Sequence, residues 1–137
     1  MSRGQLLLAE DDHAMREVIT VALTADGFDV VGHESAEDLH RTFVDATRAG
    51  TPPDLVITDF RLPGMSGLQL LETMRSGGAT LPIVVVTAFG DAMTHEAAYR
   101  LGASAILDKP FETSDLRAAV LALTVKSRVP GPQPRAA

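Results

Sequence analysis

Two kinds of segment alternate along the chain. The first is short, apolar and rich in β-branched residues: Leu6–Ala9, Val30–Val31, Leu55–Thr58, Ile83–Thr87 and Ala105–Leu107. The second is longer and has helical period. Met15, Val18, Ile19, Ala22 and Leu23 fall at i, i+3, i+4, i+7 and i+8, and Leu116, Ala119, Val120 and Leu123 repeat the pattern near the far end. Leu39 with Phe43, Leu71 with Met74, and Thr94, Ala97, Ala98 and Leu101 mark three more helices between them. Gly27, Gly77–Gly78 and Gly102 stand where helices end and a left-handed residue is wanted. Ser66 and Gln69 have the spacing of a capping box opening the third helix, and Asp91 is the expected N-cap of the fourth. The pattern predicts β–α five times over. Strands one, three and four are continuously apolar, as in a parallel sheet covered on both faces, whereas the second is short and bounded by polar residues, as at an edge. Right-handed crossovers make a doubly wound, three-layer α/β sandwich the simplest arrangement.

Composition narrows the functions such a fold could serve. At 137 residues the chain predicts one domain, residues 1–127, followed by a Pro-rich tail or linker stub over 128–137. The absence of cysteine removes disulfides, thiolate catalysis and Cys-ligated metal sites. A formal charge of −6 and an aromatic content of 4% argue against direct nucleic-acid binding, which wants a basic patch or stacking platforms. No apolar run approaches the ~20 residues of a membrane span, and the opening apolar run is too short for a secretory signal, so a cytoplasmic protein is expected.

In open parallel sheets, sites form outside the carboxyl ends of the strands. Here those ends carry Glu10, Asp11 and Asp12 after strand one, Asp59 after strand three, Thr87 after strand four and Lys109–Pro110 after strand five. Three of these acids, Glu10, Asp11 and Asp59, would share one crevice. Two unit charges ~4 Å apart repel by roughly 4 kcal/mol at an effective dielectric of 20, so the cluster either holds protons or recruits a cation. A hard divalent ion with oxygen ligands fits, and Mg²⁺ fits best because it keeps waters and shares phosphates readily. With Mg²⁺ and Lys109 present the crevice is neutral and can accept a phosphoryl group.

The strings LLLAEDD, VITDFRLPGMSG, IVVVTA and GASAILDKPF, in this order from Gln5 to about Lys126, resemble the four blocks of a response-regulator receiver domain. The resemblance implies a flavodoxin-like (βα)5 sheet of strand order 2-1-3-4-5. It implies that Asp59 is the phosphoacceptor, taking its phosphoryl group from a sensor histidine kinase or a histidine phosphotransfer protein. Glu10, Asp11, Asp59 and the backbone carbonyl of Arg61 would hold Mg²⁺. Lys109 and Thr87 would contact the phosphoryl oxygens, and a cis peptide would precede Pro110. Phosphorylation would then switch contacts with a downstream protein target or a fused effector domain, with room for a phosphorylation-dependent dimer. Gly64 and Gly67 are expected to let the loop after Asp59 turn tightly. Arg61 and Phe89 flank the site two positions after Asp59 and Thr87. One position departs from the family: the aromatic usual three residues before the lysine is Ile106, which puts the usual coupling of Thr87 to that aromatic in doubt. Asp12 is equally a helix cap, and the four histidines are expected mainly at the surface. Two other classes compete. A Mg²⁺-dependent phosphatase with an Asp nucleophile commonly carries a second acid where this chain has Arg61. A flavin-binding relative of the fold would need a hydroxyl- and glycine-rich loop where this chain has Glu10-Asp11-Asp12.

Overall fold

A computed structural model describes residues 2–88 and 92–128, the side chains of 126–128 excepted. The elements run β1 (Gln5–Ala9), α1 (His13–Ala25), β2 (Asp29–His33), α2 (Ala36–Arg48), β3 (Leu55–Asp59), α3 (Gly67–Ser76), β4 (Ile83–Thr87), α4 (Ala92–Arg100), β5 (Ala105–Asp108) and α5 (Thr113–Arg128). The strands form one parallel sheet in the order β2-β1-β3-β4-β5. The chain therefore starts in the interior of the sheet, steps out to β2 and reverses past β1 to β3. The carboxyl ends of β1 and β3 lie side by side at that reversal, where a parallel sheet leaves a crevice.

Period-two alternation divides the strand residues between two cores. Leu6, Leu8, Leu55, Ile57, Val84 and Val86 pack with Ile19, Leu23, Leu116 and Val120 of α1 and α5. Leu7, Ala9, Val56, Ile83 and Val85 pack on the other face with Leu39, Leu70, Leu71 and Met74 of α2 and α3. Both layers exclude water from the three central strands. Each fully buried Leu or Ile there contributes roughly 2 kcal/mol of transfer free energy. The edge strands are more open. Ile106, on β5, is half-buried against the α2–α3 core. Helix α4 is the least embedded: only Ala98 among its residues is fully buried, and His95 Nε2 meets Asp108 Oδ1 of β5 at 2.8 Å.

The predicted punctuation is present. Asp12 caps α1, accepting the amides of Ala14 and Met15, and Ser66 and Gln69 form the reciprocal capping box of α3. Gly27, Gly78 and Gly102 each take positive φ beyond a helix end. Val18 departs from the pattern: its place in the apolar period predicts burial, yet it is 49% exposed. The stripe of α1 that meets the sheet is narrower than the apolar period, and Ile19 and Leu23 carry it. Asp91, Phe89 and the Pro-rich stretch from residue 129 onward lie outside the described residues.

His33 departs from the surface expectation for the histidines. It turns inward at the end of β2, with Nδ1 3.2 Å from the Leu8 carbonyl and Nε2 2.9 Å from Thr42 Oγ1. A neutral ring protonated on Nδ1 satisfies both, the Thr42 hydroxyl donating to Nε2. Burial holds its pKa below the ordinary 6.5, against the opposing pull of the Leu8 carbonyl and Asp38. The unfolded chain then binds the proton more tightly than the fold does, so this group's stability is present above pH 6.5 and is lost as pH falls through the folded value. Urea unfolding is expected to need less denaturant at about pH 5.5 than at about pH 7.5, and His33→Gln is expected to flatten that difference. An unchanged pH dependence in the variant would assign the loss to other groups.

Candidate functional site

Each strand end delivers a different group to the carboxyl edge of the sheet. Glu10 follows β1 and is only 2% exposed. Its amide donates to the His33 carbonyl at 3.0 Å, which continues the β1–β2 pairing one residue past β1. Its carboxylate accepts the Asp12 amide through Oε2 at 3.1 Å. Asp11, next to it, is exposed. Asp59 ends β3 and is 7% exposed. The Phe60 amide beyond it donates to the Val86 carbonyl at 2.7 Å, so Asp59 is clamped within a paired stretch of backbone. Thr87 ends β4 and is fully buried, and its carbonyl accepts the Lys109 amide at 2.6 Å. Lys109 follows β5, and its peptide bond to Pro110 is cis, as the resemblance implies.

The side chains converge. Carboxylate oxygens of Glu10, Asp11 and Asp59 lie within 4.8 Å of one another. Lys109 Nζ donates to Glu10 Oε1 at 3.1 Å and to Asp59 Oδ2 at 3.0 Å. Burial pushes the Glu10 pKa above its ordinary value. The Asp12 amide opposes this, the Asp59 charge adds to it, and Lys109 opposes it. For Lys109, burial pulls down, but the bonds and charges of Asp59 and Glu10 outweigh it and raise its pKa. The lysine thus stays charged, while the acids remain in excess of it. A donor set of three hard carboxylates at this spacing, with one ammonium already among them, suits a small divalent cation and suits Mg²⁺ in particular.

Arg61 stands in the loop to α3, its guanidinium carbon 5.7 Å from the centre of the Phe60 ring. Asp12 serves as the α1 cap, and His13 bonds Arg16 rather than the acids. The two loop glycines act differently. Gly64 takes the positive φ that the turn requires. Gly67 does not. It is needed for close approach, because a Cβ there would collide with the Asp59 carbonyl oxygen and stand 3.0 Å from Phe60 Cα. Both obstacles are backbone, and the Asp59 carbonyl also accepts the Thr58 hydroxyl at 3.0 Å. Gly67→Ala is therefore expected to destabilise the fold by about 3 kcal/mol, the upper end of ordinary overpacking, and to weaken any function of Asp59. Urea denaturation measures the first; a loss below about 1 kcal/mol would mean that the loop yields freely.

Two residues that the pattern did not single out also hold the site. Glu37 of α2 accepts the Met65 amide at 2.9 Å and so ties down the loop that follows Asp59. Arg16 of α1 donates to the Glu10 carbonyl at 2.7 Å. Neither belongs to a pattern that the chain shows locally: Glu37 acts on backbone 28 residues away, and Arg16 reaches back six residues past the start of its own helix.

A parallel (βα)5 sheet with three acids and a lysine gathered at its carboxyl edge defines a class, and the response regulator receiver domain family model matches residues 6–121. The chain belongs to that family, the receiver domain of two-component response regulators. Among its relatives, the transcriptional regulatory protein FixJ of Azorhizobium caulinodans is 38% identical over 126 residues, covering 90% of this chain and 56% of the relative. The DNA-binding transcriptional regulator NtrC of Klebsiella pneumoniae is 35% identical, covering 88% of this chain and 24% of the relative. The chain thus spans about half or less of the length of these curated relatives. A putative response regulator from Chloroflexus aurantiacus has a solved structure that matches with a TM-score of 0.80 at 31% identity, covering 89% of this chain and 98% of that one. Among the described residues, no helix is long and apolar enough to cross a membrane.

Proposed function

We propose that this chain accepts a phosphoryl group on Asp59 from the phosphohistidine of a sensor histidine kinase or histidine phosphotransfer protein, and transmits it as altered protein contacts. The observation that carries this reading is the Lys109 ammonium bridging Asp59 and Glu10, with Asp11 beside them. A carboxylate oxygen of Asp59 attacks phosphorus along the line of the breaking P–N bond. The electron pair of that bond remains on the imidazole nitrogen of the donor. Lys109 turns from the carboxylates to a phosphoryl oxygen, and the Thr87 hydroxyl donates to another. Glu10, Asp11, Asp59 and the Arg61 carbonyl would hold Mg²⁺, which supplies charge neutralisation for the transferring oxygens. Residues 1–127 form the receiver, and 128–137 are a Pro-rich tail or linker stub. Output passes to a separate protein target or to a fused effector, with no direct contact between this domain and nucleic acid or membrane. The location that fits these partners is the cytoplasm.

One assay separates the receiver from a phosphatase with an Asp nucleophile. With excess acetyl phosphate and Mg²⁺, the receiver reading predicts a single covalent phosphoryl group per chain that is lost slowly. Rapid release of many equivalents of phosphate per chain would favour the phosphatase.

A further inference from the structure

Between the predicted ligands Glu10 and Asp11 lies a single peptide unit, and its orientation decides where the two side chains point relative to one another. The peptide before it is pinned by the Glu10 amide, which donates to the His33 carbonyl of β2. The unit itself is held through the Glu10 carbonyl, which accepts Arg16 Nη1 at 2.7 Å. Arg16 reaches this carbonyl from the first turn of α1, where its own amide bonds the Asp12 carbonyl. Its side chain is only 16% exposed. The stem crosses β2 at Gly32: a Cβ built there would stand 3.1 Å from Arg16 Cδ and 3.3 Å from Cγ. Gly32 has no positive φ, so nothing in its own backbone calls for glycine. A β-branched residue would otherwise be favoured in an edge strand. The space that the glycine leaves is filled by the arginine.

We propose that Arg16 is a positioning residue that fixes the Glu10–Asp11 peptide for Mg²⁺ binding, and that Gly32 is glycine in order to admit it. This rests on the reading of the acidic cluster as a Mg²⁺ site. The remaining partners of Arg16 are weaker candidates for its role. Glu34 Oε2 is 3.9 Å away and its side chain is 80% exposed, a pairing of small energetic consequence. His13 Nδ1, at 3.0 Å from Nη2, is on the exposed side of the guanidinium. The bond to the Glu10 carbonyl is the short, charge-assisted one and is partly buried. A group supporting a metal ligand from behind typically changes metal affinity 10–100-fold when removed.

The test uses Mg²⁺ titrations followed by calorimetry, with two-dimensional amide NMR of the metal-free protein. Arg16→Ala is expected to weaken Mg²⁺ binding about 10-fold. It should also shift the Asp11 amide nitrogen, which shares the peptide with the Glu10 carbonyl, before any metal is added. Arg16→Lys keeps one donor and is expected to recover most of the affinity. Glu34→Gln is expected to change neither readout. Gly32→Val should reproduce the Arg16→Ala loss with all acids in place, and should cost no further affinity when added to Arg16→Ala. An Arg16→Ala protein that unfolds more easily but binds Mg²⁺ with wild-type affinity would reduce Arg16 to a structural tether and overturn the inference. So would Gly32→Val and Arg16→Ala losses that multiply independently. A wild-type protein that binds no Mg²⁺ at all overturns the metal-site reading and the inference with it. Wild-type binding with an unaffected Arg16→Ala variant overturns the inference alone.

Discussion

Asp59→Asn is expected to abolish phosphoryl uptake from acetyl phosphate, with no gain in intact mass under conditions that convert the wild type. The amide oxygen of asparagine is a far weaker nucleophile than a carboxylate, and no second acid occupies the same place. Asp11 is the rival to consider, since it is exposed and its carboxylate lies within 4.8 Å of Asp59. Glu10 is less suited, being 2% exposed, with the carboxylate oxygen that Lys109 leaves over already accepting the Asp12 amide. The fold should survive the change. Asparagine has nearly the same shape, its oxygen can still accept the Lys109 ammonium, and one negative charge leaves a buried acidic pair. A variant that unfolds at the wild-type midpoint and takes up no phosphoryl group supports the assignment. One that still gains a phosphoryl group moves the acceptor to Asp11 or elsewhere.

Lys109→Met separates two effects of the same ammonium that have opposite sign. Methionine approximates the length of the lysine stem without its charge. Phosphoryl transfer is expected to slow by about 10²–10³-fold, the usual consequence of removing one preorganised donor from a developing anionic charge. Mg²⁺ binding is expected to become tighter, because Lys109 competes for the same oxygens of Glu10 and Asp59. Without metal the variant should lose about 3 kcal/mol of stability, since two buried carboxylates are left without their counter-charge. Adding Mg²⁺ should restore much of that loss. Time-resolved mass spectrometry, calorimetry and urea unfolding with and without metal measure the three quantities. A variant with weaker Mg²⁺ binding would show that the lysine organises the acids rather than competing for them.

Much of this arrangement is legible in the chain because it follows from local rules. Continuous apolar, β-branched runs such as Ile83–Val86, repeated between helical segments, read as central parallel strands, and a strand that ends in Asp59 or Thr87 must place that residue at the carboxyl edge. The Ser66–Gln69 box and the glycines after the helices have one conformational meaning each. The parts that resisted depend on neighbours distant in sequence. Val18 fits the α1 period but meets no facing layer. His33 looks like an edge-strand polar residue until Leu8 and Thr42 are brought around its ring. Gly67 reads as a turn residue, whereas its necessity comes from the Asp59 carbonyl eight positions earlier. Glu37 meets Met65 only across the packed α2–α3 layer, and Arg16 meets Gly32 only because β2 lies beside β1. Such long-range contacts leave no periodicity behind them.

The most direct measurement is intact mass, with peptide mapping, of the wild-type protein after acetyl phosphate treatment in Mg²⁺ and in excess chelator. One phosphoryl group is expected in Mg²⁺, carried by Asp59, and essentially none in chelator. Uptake that ignores the metal, or a phosphoryl group found on any other residue, would contradict that expectation.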